Sequence, residues 1–304
     1  MKKLLTIVLC LALLFGMSGC GEKETVADGK LSVVTTVFPL YDFLKNVAGD
    51  KAEITLLLPT GADAHSYEPT VQDVIKIQNA DAFVILGTGA DVWTESIIGD
   101  KSFDKEKVLS AMEYTNLIEE HHEENHNVPE YDQHIWTSLK NSADIVEGMA
   151  EFFAEKDSLN AGYYRENASK YIEKLRVLDK KFEALLKDSN KTLVFADRFP
   201  FAYFIQDYNL KYEAAFPGCS SESEPSAATV AKLIDKIREE EISTLFYTET
   251  SNGQLPDAMC RETGAQKAML HSCHTVTKEQ LKAGVTFYEL MENNYLSLEK
   301  FIAE

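Results

Sequence analysis

Short apolar runs rich in β-branched residues alternate with amphipathic runs along most of this 304-residue chain. In its first part the apolar runs cover residues 31–37, 54–58, 82–86 and 108–112. Residues 41–47 and 71–79 lie between these runs and have helical spacing. Apolar runs of this length are typical of buried strands, and strands that alternate with helices pair in parallel. The pattern therefore predicts a parallel sheet with helices on both faces.

The same alternation returns in the last third of the chain. Predicted strands cover residues 192–195, 211–215, 243–247 and 266–270, and residues 227–240 have the pattern of an amphipathic helix. A chain of this length can form two lobes that each bury a core of their own. We therefore predict an α/β protein with two (β/α) lobes and parallel-rich sheets.

A long helical pattern separates the two sets of strands. Its apolar residues recur at alternating spacings of four and three: Tyr164, Ala168, Tyr171, Leu175, Leu178, Phe182 and Leu185. Neither Gly nor Pro interrupts residues 163–188, and Asn160 is a candidate N-cap. Such a helix spans about 40 Å, roughly the diameter of a small lobe. A dimeric coiled coil would need a longer and more regular seam, so we predict a linking helix between the lobes of a monomer.

The first residues have the features of a secretory signal. A basic start and an apolar run at residues 4–15 precede Met17-Ser18-Gly19-Cys20, which resembles a bacterial lipobox. The resemblance implies cleavage before Cys20 and lipidation of its thiol, which would anchor the protein to the outer face of the cell membrane. The alternative is an ordinary signal followed by a chance cysteine.

Together these features predict the layout of the chain. It comprises a signal peptide at 1–19, a lipidated tether at 20–30, an N-terminal lobe at 31–140, linking helices at 141–188 and a C-terminal lobe at 189–304. The net charge is −19, and loss of Lys2 and Lys3 with the signal would make it −21. Such acidity argues against nucleic acid and against anionic lipid as partners. It is compatible with a cationic ligand.

The cysteines exclude a disulfide scaffold. Cys219, Cys260 and Cys273 are the three that remain once the signal and Cys20 are set aside. Three cysteines allow at most one disulfide. Which pair forms, if any does, stays open.

Three of the seven histidines lie in an acidic segment at residues 119–126. His121, His122 and His126 alternate there with glutamates, and the segment has no apolar period. We predict a loop that captures metal weakly and exchanges it fast, since tracts rich in His and acidic residues often bind metals. The alternative is a solvated linker with incidental histidines.

The other four histidines lie next to predicted elements. His65 lies in the loop after the strand at 54–58, and His271 directly follows the strand at 266–270. Ligands of open α/β sheets bind at the carboxyl ends of strands, so these two side chains can converge between the lobes. His134 precedes the linking helices, and His274 lies three residues after His271.

The segments around His65 and His134 resemble motifs of a known family. The segment PTGADAHSYEP at 59–69 resembles the first ligand loop of the zinc/manganese substrate-binding proteins of ABC transporters, and DQHIW at 132–136 resembles their second ligand motif. Residues 224–226 and 248–249 also match, and the resemblance covers essentially the whole mature chain. It implies a long linking helix and a metal held in the cleft between the lobes for delivery to a permease.

The sequence departs from that family at two ligand positions. Ala196 occupies the position of the third ligand, and His271 aligns with the usual Asp at the fourth. We therefore predict a remodelled site of His65, His134 and His271 with one further group or a water. The candidates for this fourth ligand are His274, Glu249, Asp197 and Cys219.

The ligand types favour zinc as the metal. Three neutral imidazoles suit tetrahedral zinc, whereas manganese prefers carboxylate oxygens. Nickel, cobalt, copper or a metal chelate remain alternatives, because imidazole accepts those metals too. A zinc-dependent hydrolase is the rival enzyme function. The one His-Glu-x-x-His match, at residues 122–126, lies in the acidic segment, which lacks the apolar period of the helix that this motif requires. We predict a binding protein rather than an enzyme.

Overall fold

The computed structural model describes residues 29–62, 64–120, 130–216 and 225–304, and it describes only the backbone of His65, Glu120 and Glu130. The predicted signal peptide and Cys20 lie outside these residues. Residues 31–304 form one compact unit. Within the described segments, each helix is too short or too polar to cross a lipid bilayer.

The first sheet has four parallel strands in the order β2-β1-β3-β4. They are β1 (Leu31–Thr35), β2 (Ala52–Leu56), β3 (Ala82–Ile85) and β4 (Val108–Ser110), with helices α1 (Phe38–Ala48), α2 (Val71–Asn79) and α3 (Thr94–Ile98) between them. Val33 of β1 is opposite both Ile54 and Ala82. The order reverses between β1 and β3, because β2 lies on one side of β1 and β3 on the other. Such a reversal opens a crevice at the carboxyl ends of these strands.

The second sheet repeats this topology with the order β10-β9-β7-β8, again all parallel. Its strands are β7 (Thr192–Phe195), β8 (Lys211–Ala214), β9 (Thr244–Tyr247) and β10 (Gln266–Met269). The helices of this part are α6 (Ala202–Tyr208), α7 (Ala227–Glu239), α8 (Gln254–Thr263), α9 (Lys278–Ala283) and α10 (Phe287–Ala303). Here the order reverses between β7 and β9, so the crevice lies beyond the ends of those two strands. The predicted two-sheet α/β architecture is confirmed.

Two antiparallel helices, α4 (Leu139–Lys156) and α5 (Ala161–Leu186), connect the sheets. The predicted stripe of α5 is buried from Tyr164 to Phe182 against α4, α1 and α10. Its last member, Leu185, is partly buried, and Leu186 is buried in its place. Asn160 is the N-cap residue, but its side chain donates to Asp157 instead of capping the helix. The long linking helix is confirmed.

Several boundaries differ from the sequence prediction. β2 begins and ends two residues before the predicted strand, because the apolar run continues through Leu57 and Leu58, which are buried beyond the strand. The acidic segment was predicted as a loop throughout, but Glu119–Glu120 (β5) pairs in antiparallel fashion with Glu130–Tyr131 (β6). The backbone is therefore regular at the base of this segment. His121, His122 and His126 lie outside the described residues.

Candidate metal centre

His134 is a completely buried imidazole held by a carboxylate. Asp132 Oδ1 lies 3.1 Å from His134 Nδ1 and accepts the His134 backbone N–H at 2.8 Å. Because an ionised carboxylate can only accept, Nδ1 carries a ring proton, and in the neutral ring the lone pair then lies on Nε2. Tyr203 fixes the pair from the other side, since its hydroxyl donates to the Asp132 carbonyl at 2.7 Å. The ring of His134 is thus held in one orientation, and a carboxylate behind a histidine is typical of metal-binding histidines.

Aromatic rings connect His134 to the segment after β10. The rings of His134, Trp136 and His274 lie 5.4–5.5 Å from one another, the two imidazoles in an edge-to-face arrangement. Trp136 Nε1 donates to the Ser272 carbonyl at 2.8 Å. These contacts cross from the residues before α4 to the segment that carries His271. Two of the sequence-predicted histidines, His134 and His274, therefore do come together.

The backbone of His271 is fixed by one buried side chain of α10. Asn294 accepts the His271 N–H at 2.7 Å and donates to the His271 carbonyl at 2.8 Å. The ring is held differently from that of His134, because its Nδ1 accepts the Cys273 N–H at 3.0 Å. Cys273 has a φ of 61°, an uncommon left-handed conformation for a residue with a side chain, and this turn aims its N–H back at the ring.

Burial sets the protonation of this segment. It lowers the pKa of His271, and the nearby Glu249 carboxylate only partly opposes that change. The imidazole is therefore neutral at physiological pH, the form that binds metals. Burial also raises the pKa of Cys273 well above its usual range, so this residue stays a thiol rather than a thiolate ligand.

Glu249, predicted as a candidate ligand, receives hydrogen bonds from the backbone after β10. Its carboxylate accepts the Ser272 N–H and hydroxyl, each at 2.7 Å, and the His274 N–H at 3.1 Å. The remaining contact is with His271, whose Nδ1 lies 3.6 Å from Glu249 Oε2. The carboxylate therefore organises the segment that contains both histidines.

Asp197, the other predicted carboxylate, connects the ends of β7 and β9. Its Oδ2 accepts the Thr248 hydroxyl at 2.7 Å and the Thr248 N–H at 3.1 Å. A cleft of about 820 Å³ opens beyond these strand ends, and Ala196, Asp197, Glu249 and His271 all line it. The crevice predicted by the strand order therefore contains the position where the family's third ligand was expected.

The loop that carries His65 reaches the same cleft. His65 lies in a short 3-10 helix, Ala64–Ser66, and Gly61 of this loop lines the cleft. The Gly61 N–H donates to the Thr275 hydroxyl at 2.9 Å, which joins the loop after β2 to the residues after β10. The segments of His65, His134 and His271 therefore converge. Cys219 and Glu224 lie outside the described residues, and Cys260 and Cys273 are both free thiols.

Comparison with known proteins identifies the family. Residues 33–301 match the family described as "Zinc-uptake complex component A periplasmic". This chain belongs to that family. Its relatives include the zinc-binding lipoprotein AdcA of Streptococcus pneumoniae, which is 32% identical over 99% of this chain. This chain spans 61% of that relative's length. The high-affinity zinc uptake system protein ZnuA of Bacillus subtilis is 29% identical, over 93% of this chain and 92% of its own.

Solved structures of this zinc-uptake family share the fold. The Zn(II)-bound ZnuA-like domain of Streptococcus pneumoniae AdcA superposes with a TM-score of 0.77 and 31% identity, over 91% of this chain and all of that domain. The metal-dependent lipoprotein YcdH of Bacillus subtilis superposes with a TM-score of 0.76 and 29% identity, over 89% of this chain and 99% of its own. The resemblance predicted from the two ligand motifs is therefore confirmed.

Within the family fold, the described side chains form an incomplete ligand set. The side chain of His65 is not among the described ones. Among those that are, no three His, Cys, Asp or Glu side chains are grouped closely enough to hold a metal ion. The sequence motifs pointed to His134 and His271 but gave no role to their partners Asp132 and Asn294. An Asp two residues before a candidate ligand was a usable signal. Asn294 gave none, because it lies 23 residues from His271 on another element.

Proposed function

We propose that this chain captures zinc outside the cytoplasm and delivers it to an ABC permease. The observation that carries the proposal is the buried pair of Asp132 and His134, joined at 3.1 Å. A carboxylate that accepts from Nδ1–H sets the ring orientation and makes Nε2 the metal-binding nitrogen of the neutral ring, an arrangement typical of zinc-binding histidines. The zinc-binding relatives support the same cargo. Zinc is the substrate that the protein carries, not a resident cofactor.

We propose His65, His134 and His271 as the zinc ligands. Ala196 offers no donor atom at the expected third position, so the fourth position falls to His274 or to a water. Asp197 and Glu249 are weaker candidates, because their carboxylates already accept hydrogen bonds from Thr248 and from the segment after β10. Neutral imidazoles in this number favour zinc over manganese.

Binding and release, rather than catalysis, fit this site best. The family is one of zinc-uptake components, and we assign the chain no enzymatic activity. We further propose that it acts as a monomer anchored through a lipid on Cys20, with lobes at 31–140 and 189–304 joined by the linking helices at 141–188. The acidic segment at 119–126 would raise the local metal concentration through His121, His122 and His126.

A competition titration tests the cargo. Metal-free protein is mixed with a chromophoric zinc chelator, and zinc, manganese, nickel and cobalt are compared at equal free concentration. We expect one zinc per chain to be taken from the chelator, and we expect manganese and nickel not to displace it. Displacement of zinc by either metal at equal free concentration would contradict the assignment of zinc as the cargo.

A further inference from the structure

The ring of His271 is held in the orientation opposite to that of a metal ligand that binds through Nε2. Its Nδ1 accepts the Cys273 N–H at 3.0 Å, so the neutral ring carries its proton on Nε2. A ring that binds zinc through Nε2 must instead carry its proton on Nδ1. That Nδ1–H would face the Cys273 N–H, and two donors would oppose each other.

Among the described side chains, the Glu249 carboxylate is close enough to resolve this conflict. Glu249 Oε2 lies 3.6 Å from His271 Nδ1 and accepts one hydrogen bond, from the Ser272 N–H. A carboxylate oxygen can accept two, so Oε2 retains capacity for an Nδ1–H. Asn294 holds the His271 backbone at both its N–H and its carbonyl. A small rotation of the ring, without backbone movement, therefore brings Nδ1 within hydrogen-bond distance of Oε2.

We propose that Glu249 is a positioning residue that accepts the Nδ1–H of His271 when zinc occupies Nε2. This inference rests on the proposed function. Nε2 gives its proton to solvent and Nδ1 takes one from solvent, so the imidazole stays neutral and no net proton is released at this residue. The Cys273 N–H gives up its acceptor, and the zinc bond offsets that loss. His271 would then be paired with a carboxylate in the zinc-bound form, as His134 is already.

Nitrogen-15 NMR of histidine-labelled full-length protein tests the assignment directly. The His271 signals are identified by their loss in His271→Ala. Zinc-free protein should show His271 protonated at Nε2, and zinc-loaded protein should show it protonated at Nδ1. Glu249→Gln should weaken zinc binding by about 10–100-fold, the usual effect of losing a carboxylate that orients a metal-bound histidine. The amide would donate to Nδ1 and so favour the zinc-free form.

A matched control replaces a carboxylate that has no contact with this segment. Asp157 accepts the Tyr164 hydroxyl and the Asn160 amide at the start of α5, and Asp157→Asn should leave zinc affinity unchanged. X-ray absorption of the zinc-loaded Glu249→Gln protein should give the wild-type number of nitrogen and oxygen ligands. If Glu249→Gln fails to fold, the NMR comparison of zinc-free and zinc-loaded wild-type protein still shows which nitrogen of His271 carries the proton.

Three results would overturn the assignment while zinc binding itself persists. They are a zinc-loaded His271 still protonated at Nε2, an unchanged zinc affinity in Glu249→Gln, and the loss of one oxygen ligand in that variant. The last would make Glu249 a direct ligand. Wild-type protein that binds no zinc would instead overturn the proposed function, and this assignment with it.

Discussion

His134 and His271 enter the proposed zinc site from different parts of the chain and are held in opposite ways. Asp132 accepts from the ring of His134, whereas the Cys273 N–H donates to the ring of His271. In the proposed site, the first imidazole is already oriented for zinc, and the second would exchange one hydrogen bond for another. A carrier protein has to release its cargo as well as capture it. In the proposed site, a fixed ligand paired with an adjustable one would serve both needs.

The largest effect should come from removing the fixed ligand. Zinc sites of four ligands contribute about 10–16 kcal/mol, so the loss of one ligand should cost about 3 kcal/mol, or on the order of 100-fold in affinity. We expect His134→Ala to weaken zinc at least that much in the chelator competition. An affinity within threefold of the wild type would remove His134 from the site.

The carboxylate behind the fixed ligand should matter next. Asp132→Asn replaces an acceptor by a group that can donate to Nδ1, which favours the ring form unable to bind through Nε2. We expect zinc affinity to fall by about 10–100-fold, measured in the same competition. The exposed carboxylate of Glu151 offers a control, since Glu151→Gln should leave affinity unchanged. Equal zinc affinities for Asp132→Asn and Glu151→Gln would show that Asp132 does not orient His134 for zinc, and the proposed difference between the two histidines would be wrong.

The contact that joins the two histidine segments should affect stability. Trp136→Phe removes the hydrogen bond from Nε1 to the Ser272 carbonyl and leaves a buried acceptor unpaired. We expect the free energy of unfolding in urea to fall by about 2 kcal/mol. The second tryptophan of the chain, Trp93, is partly exposed and makes ring contacts with Tyr67 and Phe83. Trp93→Phe should therefore lower the free energy of unfolding less than Trp136→Phe does. A larger loss for Trp93→Phe would contradict the stabilising role of the Trp136–Ser272 hydrogen bond.

The smallest effect concerns protons rather than zinc. Burial lowers the pKa of His271 below its ordinary value of 6.5, so the unfolded chain takes up this proton at a higher pH than the folded chain does. The stability of metal-free protein should therefore fall as the pH drops from 6.5 through the folded pKa. His271→Asn should flatten that part of the profile, measured by urea unfolding at a series of pH values. Identical slopes in both proteins would contradict the assigned burial effect.

Much of the fold follows from local patterns. The apolar stripe of α5 and the alternation of strands and helices were sufficient to predict the two sheets and the linking helix. Each of these elements buries one face, so its period is visible in the sequence. Short helices such as α6 and α8 were missed. α8 follows Gly253 without a side-chain cap and contains Pro256 in its first turn, so neither its start nor its composition is distinctive.

The site was less predictable than the fold. Motif resemblance found His134 and His271, but it treated them as equivalent ligands. Their difference depends on contacts that no local pattern encodes: the turn at Cys273, and the reach of Glu249 to residues 23 positions away. Glu249 and Asp197 were named as candidates for the fourth ligand, and the hydrogen bonds that their carboxylates accept could not be read from the sequence.

A structure of the zinc-loaded protein with anomalous scattering at the zinc edge tests the central claim most directly. We predict a single zinc peak in the cleft, bonded to Nε2 of His65, His134 and His271, with Glu249 hydrogen-bonded to Nδ1 of His271. A peak that lies elsewhere, or one in the cleft without His271 among its ligands, would contradict the account.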